Sequence, residues 1–254
     1  MKKLPFIILT VIMLLSLCSC GGVESTVKSL DDIQGKAVGT LRDTAAVNTA
    51  AKFSDNVQVY DSAGAMLDDL RSGTLDCAIV SSMSAKEIKS GQRGIKLLGE
   101  SITGALSYAV AKENADLRDK LNEAIAQREE DKTIESIIKG YADGEGRTYS
   151  PQLDPQQTEH KLTLAFRPDC YPYAYTDEEG ETVGIDVDIT YALCDSLGVG
   201  LELVPAQQDN ITELVLYGRV SFACGGLTDD GSGSDTVDYT QPYTYMTDSV
   251  ITRK

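Results

Sequence analysis

The feature that most limits the fold of this chain is an alternation of strand-like and helix-like segments that begins at Lys36, breaks once, and resumes at Lys161. Such alternation predicts an α/β architecture with parallel strands, because each strand-to-strand crossover needs a helix to carry the chain back. Residues 36–40 read as a strand and 57–60 as another. Asp61 or Ser62 then caps a helix that carries Ala63, Met66, Leu67 and Leu70 on one face and stops at Gly73. A buried strand follows at 76–80, with short strands at 95–98 and 106–111. Apolar residues at 117, 121, 124, 125, 134, 137, 138 and 141 predict two amphipathic helices with a break near Asp131.

Residues 142–160 contain Gly144, Gly146, Ser150, Pro151 and Pro155 and almost no apolar side chain, the composition of a linker or exposed loop. The second run has strands at 161–166, 201–204, 220–224 and 250–253, a hairpin turn at 177–180, and a glycine-rich loop at 225–233. Its helices, 186–197 and 211–217, are stopped by Gly198 and Gly218. Residues 70–76 and 215–221 both read helix, glycine stop, strand, which suits two lobes of similar construction.

The N-terminus predicts an address. Lys2 and Lys3 precede an apolar run over 4–17, too short to span a bilayer but suited to the h-region of a signal peptide. The run ends in Leu17-Cys18-Ser19-Cys20-Gly21, which resembles a bacterial lipobox with Cys20 as the lipidated residue, since a small residue precedes it. Residues 1–19 are therefore expected to be removed, leaving the chain anchored by lipid at Cys20 on the extracytoplasmic face of the membrane. The remainder is long enough for one large domain or two lobes of about 100–150 residues. A formal charge of −16 argues against nucleic acid and against adhesion to anionic membrane surfaces. Cys77, Cys170, Cys194 and Cys224 show no metal-ligand spacing, and the single histidine, His160, lies beside the linker. No metal, cofactor or Cys/His catalytic site is expected. Cys77 and Cys224 sit in apolar strand-like runs and read as buried thiols, although disulfides are permitted outside the cell.

Several motifs then occur in a familiar order: Asp169-Cys170-Tyr171-Pro172-Tyr173-Ala174-Tyr175, Gly184-Ile185-Asp186-Val187-Asp188-Ile189, Gly218-Arg219-Val220, Gly225-Gly226-Leu227-Thr228, and Val237-Asp238-Tyr239-Thr240-Gln241-Pro242-Tyr243. Over these residues the chain resembles the first lobe of the amino-acid-type solute-binding proteins of ABC importers, family 3. The resemblance implies a two-lobed type II periplasmic-binding-protein fold, each lobe a mixed sheet flanked by helices. The earlier part resembles the family's remainder. Ser29-Leu30-Asp31-Asp32-Ile33-Gln34-Gly35-Lys36 is similar to the entry to the second lobe, and Tyr108-Ala109-Val110-Ala111-Lys112 to the return to the first.

The order of lobes is thus permuted, with 20–104 as lobe two and its tether, and 105–141 as the C-terminal helices of lobe one. Residues 142–160 are the joining linker, and 161–254 the N-terminal portion of lobe one. One hinge crossing near 100–107 is expected to stay covalent and the other to be cut, bringing both ends together at the hinge. A tandem protein trimmed to two unlike fragments, with lobes completed in another chain, is the rival account.

The resemblance places a ligand between the lobes and implies an arginine for its carboxylate and an aspartate for its ammonium. Gly233 stands at the first position and Ser81 at the second. Cys170 and Gln208, beside Asp209, stand where aromatic residues are expected, and Asp43-Thr44-Ala45 replaces a Gly-Thr-Thr turn. The candidate ligand residues are accordingly Arg42, Thr44, Ser81, Arg167, Asp169, Cys170, Tyr171, Gln208, Gly226, Thr228 and Asp229, with Tyr173 and Tyr175 assigned mainly to packing. The expected function is capture of a small polar solute for an ABC permease, with a non-transport sensor or partner-docking lipoprotein as the alternative. No nucleophile–base pair or paired catalytic carboxylates stands out, so an enzyme is not expected.

Overall fold

A computed structural model describes residues 24–90, 92–153, 158–207, 210–227 and 236–254. Thirteen strands and seven α-helices are described. In the first half they are β1 (Val38–Leu41), α1 (Ala46–Phe53), β2 (Val57–Tyr60), α2 (Ala63–Ser72), β3 (Cys77–Ser81), α3 (Ser82–Ser90), β4 (Ile95–Leu106), β5 (Ala109–Ala111), α4 (Ala115–Glu130) and α5 (Thr133–Ala142). The second half adds β6 (Lys161–Phe166), β7 (Asp169–Cys170), β8 (Ala174–Thr176), β9 (Thr182–Val183), α6 (Ile185–Leu197), β10 (Gly200–Pro205), α7 (Ile211–Leu216), β11 (Phe222–Ala223), β12 (Val237–Tyr239) and β13 (Thr244–Arg253).

The strands form two five-stranded mixed sheets built to one plan. The first runs β2-β1-β3-β13-β4 and the second β10-β6-β11-β5-β12. In each, three parallel strands meet an antiparallel strand from the other half of the chain, and a fifth strand closes the edge. The expected two-lobed α/β fold with helix-flanked mixed sheets is what the chain adopts. Strand alternation separates the faces. Leu164, Phe166, Val110 and Phe222 point into a core shared with α4, α5 and α6, whereas Ala165, Ala109 and Ala223 face α7. In the first sheet Ala78 and Val80 pack on α2, and Val38, Cys77 and Ile79 face α1. The Ser62 hydroxyl caps α2 by accepting from Ala65 N–H at 3.3 Å, and Gly73 closes that helix at φ 90°.

The structure differs from the sequence expectation at the hinge. Residues 95–106 form one continuous strand, and the last strand starts at Thr244 and lies in the first sheet, not with 161–239. Two covalent crossings therefore join the sheets, one at 106–109 and one at 239–244. β13 pairs with β4 from Thr244 opposite Leu106 to Arg253 opposite Ile95, so Arg253 and the crossings lie at opposite ends of a ribbon, roughly 30 Å apart at strand rise. Lys254 N–H donates to Gly94 O at 3.0 Å and Lys96 Nζ lies 3.8 Å from Glu24. The described ends thus meet at the outer edge of the first sheet instead of at the hinge.

The crossings are locked together by aromatic packing. Tyr108 of one stacks on Tyr243 of the other at 4.2 Å between centroids, and Phe222 meets Tyr108 edge-on at 5.3 Å. Thr240 N–H donates to Tyr108 O and Tyr243 N–H to Leu106 O, which holds the two backbones side by side. The expected linker is also more than a tether. Tyr149 Oη donates to Asp195 at 2.6 Å, and Arg147 Nε stands 3.1 Å from Asp188, so 147–153 is fastened to α6.

All four cysteines among the described residues are buried and free, and no helix there is long and apolar enough to cross a membrane. Tyr243→Ala is expected to destabilise the fold by about 3–5 kcal/mol, the usual cost of deleting a buried ring. Tyr243→Phe keeps the stack and removes a buried hydroxyl that makes no bond of good geometry, so its melting temperature should stay close to the parent. Denaturant melts of the two variants check both.

Candidate functional site

An open cavity of about 600 Å³ lies between the two lobes. One wall comes from the first sheet, where β1 ends and β2 gives way to α2. It includes Arg42, Asp43, Thr44, Tyr60, Asp61 and Ser62, with Ser84 from α3. The facing wall is the small antiparallel sheet β7-β8-β9, through Pro168, Asp169, Tyr171, Tyr175 and Thr176. The parallel register that sets Leu41 beside Tyr60 carries Arg42 to Asp61, and their side chains form a close ion pair.

The two walls touch through main chain at one edge. Tyr171 N–H donates to Asp43 O at 3.1 Å, and Thr44 bridges Tyr171 in parallel. Asp43 adopts φ 56°, a left-handed conformation that aspartate tolerates better than most residues. The Thr44 hydroxyl donates to Leu41 O at 2.8 Å, which pins the turn. Tyr171 is 42% exposed, and its ring meets Tyr175 edge-on at 4.9 Å.

Of the sequence candidates, Arg42, Thr44, Asp169 and Tyr171 line this cavity. Arg167 is buried behind it, with Nε 3.1 Å from Asp169, and its Cβ packs against Gly225. Ser81 is buried at the end of β3, where its hydroxyl donates to Ser84 Oγ and accepts from Ser84 N–H; it does not line the cavity. Cys170 is buried as well, and burial, with the charge of Asp186, pushes its thiol up to about 12, which makes it a poor nucleophile. Gly226 lines a second, smaller cavity of about 300 Å³ between α1 and α7, together with Asn48, Lys52 and Tyr239. Gln208, Thr228 and Asp229 lie outside the described residues, as do Asp209, Gly233 and Cys20.

Sequence reasoning read Asp61 only as a possible helix cap, did not single out Ser84 or Thr176, and assigned Tyr175 mainly to packing. The β1–β2 register and the closeness of the small sheet bring them in, and neither is visible as a motif. No group of three or more metal-ligating side chains occurs among the described residues.

The interior holds buried acids. Asp186 is fully buried, and its carboxyl has the Tyr243 hydroxyl, the Cys224 thiol and the Gly225 amide nearby without a bond of good geometry. Burial lifts it to about 7, against the smaller opposing effect of those neighbours. Asp188 accepts from Tyr141 Oη at 3.0 Å; burial raises it to about 6 although Arg147 opposes. Asp248, on β13, accepts from Thr49 Oγ1 at 2.6 Å and is also raised by burial.

A carboxyl whose folded-state pKa lies above its unfolded value stabilises the fold below about 4 and loses that contribution as pH rises toward 7. Asp186→Asn should therefore flatten the decline in melting temperature between about pH 4 and pH 7, a slope worth roughly 1.4 kcal/mol per pH unit for one proton. Parallel curves for variant and parent would contradict the assignment.

Residues 162–254 match the family model described as bacterial extracellular solute-binding proteins, family 3. The chain is 32% identical over 123 residues to the L-cystine-binding protein TcyJ of Escherichia coli K12, a match that covers 46% of this chain and 45% of that protein. This chain thus spans less than half the length of the curated relative it matches. Among solved structures it is similar to the L-cystine solute receptor of Neisseria gonorrhoeae in its unliganded open conformation. That match has 27% identity, covers 26% of this chain and 28% of that one, and has a TM-score of 0.26. An ancestral arginine-binding protein bound to arginine matches at 26% identity over 29% of this chain and 34% of that one, with a TM-score of 0.27.

Proposed function

From the premise that the chain carries the sequence of the family-3 bacterial extracellular solute-binding proteins over 162–254, we propose that it captures a small polar solute outside the cytoplasm for an ABC importer. The observation that carries this reading is the cavity of about 600 Å³ between two lobes of like topology, lined by polar side chains and three tyrosines. Such a site encloses a small molecule, and two crossings joined by a single ribbon let one lobe tilt against the other. The curated relative is named as a binding protein, and a thiol as buried as Cys170 gives no support to an enzyme.

Lipid attached at Cys20 would hold the protein on the extracytoplasmic face of the membrane. The lobe order is read as a circular permutation of the family's usual chain. The nearness of Glu24 and Lys254 to the Gly94–Lys96 edge fits that reading, because permutation is tolerated where ends meet at the surface. The linker at 142–160 would then join the old ends.

A second reading, a sensor or partner-docking lipoprotein without transport, is favoured by Ser81. It stands where the ammonium-binding aspartate is expected, and its hydroxyl is committed to Ser84. A solute retained at high affinity by a chain that fails to stimulate any ABC permease would favour this reading.

Thermal-shift screening against amino acids, polyamines, short peptides and organic acids tests the binding reading. At least one class should raise the melting temperature in a dose-dependent way, by roughly 2.7 kcal/mol of stabilisation at a hundredfold excess over Kd. Tyr171→Ala should abolish the response, and a flat response to the whole panel would contradict solute capture. For the anchor, Cys20→Ser should move the protein expressed in bacteria from the membrane fraction to the soluble fraction. Unchanged membrane retention would contradict lipidation there.

A further inference from the structure

Both arginines at the cleft already have carboxylate partners, and from this charge balance and the adjoining tyrosine pair we propose that the cavity takes an organic cation, a primary amine or guanidinium, in preference to a carboxylate. This rests on the reading of the cleft as the solute site and names its ligand class.

Arg42 is paired with Asp61 on one wall and Arg167 with Asp169 on the other. Each pair is neutral as a unit, and Asp43 remains on the wall as an additional negative charge. Glu87 adds to the same field, since its charge reaches Tyr171. A ligand carboxylate would have to separate Arg42 from Asp61 and would leave that aspartate facing it. Arg42 and Asp61 are exposed, so the pair itself is weak, but a carboxylate drawn to Arg42 would still lie beside the like charges of Asp43 and Asp61. A ligand cation has no such obstacle.

The aromatic geometry points the same way. Tyr171 is 42% exposed beside these carboxylates, and its ring meets Tyr175 edge-on at 4.9 Å. An ammonium or guanidinium held over a tyrosine face is attracted by the ring quadrupole, and a neighbouring carboxylate reinforces it. Ser62, Ser84 and Thr176 supply hydroxyl oxygens that accept N–H donors. The net charge of −16 gives the whole chain a field that draws cations in and repels anions.

The test is titration calorimetry of the full-length mature chain with agmatine, cadaverine, glutamine and glutarate, at low and high salt. It is repeated on Asp43→Asn and Tyr171→Leu, with the melting temperature of each unliganded variant confirming that it folds. Asp43 is exposed, and asparagine tolerates its left-handed conformation, so that variant keeps the test valid if Tyr171→Leu is unstable.

The expected result is binding of agmatine or cadaverine, weakened by salt and by roughly threefold to tenfold in each variant, with no binding of glutarate. Tighter binding of glutarate or glutamine that is lost in Tyr171→Leu would overturn the ligand class and leave solute capture in the cleft intact. Amine binding unaffected by both variants would overturn the assignment of the site. Silence of all four probes would also overturn the proposal; solute capture would then stand or fall on the wider thermal-shift panel.

Discussion

The antiparallel pairing of β13 with β4 is the interaction on which the rest of the structure depends. β4 leads out of the first sheet through one crossing and β13 returns to it through the other, so their ladder fixes how the two lobes are joined. β13 also pairs with β3 and sits inside its sheet, where a displaced strand would leave two rows of backbone donors and acceptors unpaired. At the crossings the Tyr108–Tyr243 stack and the bonds from Thr240 and Tyr243 hold the two main chains together. The position of the cavity follows from this arrangement, since its walls are the parts of each lobe that face one another beyond the ribbon.

Electrostatics give the molecule its second constraint. The chain carries far more acid than base, and it places three carboxyls, Asp186, Asp188 and Asp248, in the interior. Burial raises all three, so ionising them near neutrality works against folding. At the surface of the cleft the same acidity consumes the available arginines in ion pairs. Charge that in a more balanced protein would be free to meet a ligand carboxylate is thereby committed within the chain.

Much of the fold was legible in the sequence. Apolar periodicity marked α2, α4, α5 and α6, and the glycine stops at 73 and 198 fell where the helices end. The hinge strands were harder. β13 buries Thr244, Asp248, Ser249 and Thr252 among its apolar residues, so only its apolar end read as a strand. β4 is interrupted by Gly99, Glu100 and Gly104 at exposed or half-buried positions, which made it read as short pieces. α1 and α3 bury small side chains, chiefly alanines, whose periodic signal is weak. In the cleft, Tyr171 and Thr44 could be named from motif position, but Asp61 and Tyr175 come in through strand register and the docking of a separate small sheet. Those are long-range facts that no local pattern carries.

Native-state hydrogen exchange across β13 tests the central claim most directly. The expected result is that the amides of Ser249, Ile251 and Thr252, residues paired on both sides, exchange only through global unfolding, in a protein that native mass spectrometry finds to be a monomer. Exchange there as fast as at exposed, unpaired amides would contradict it, as would protection that appears only in a dimer.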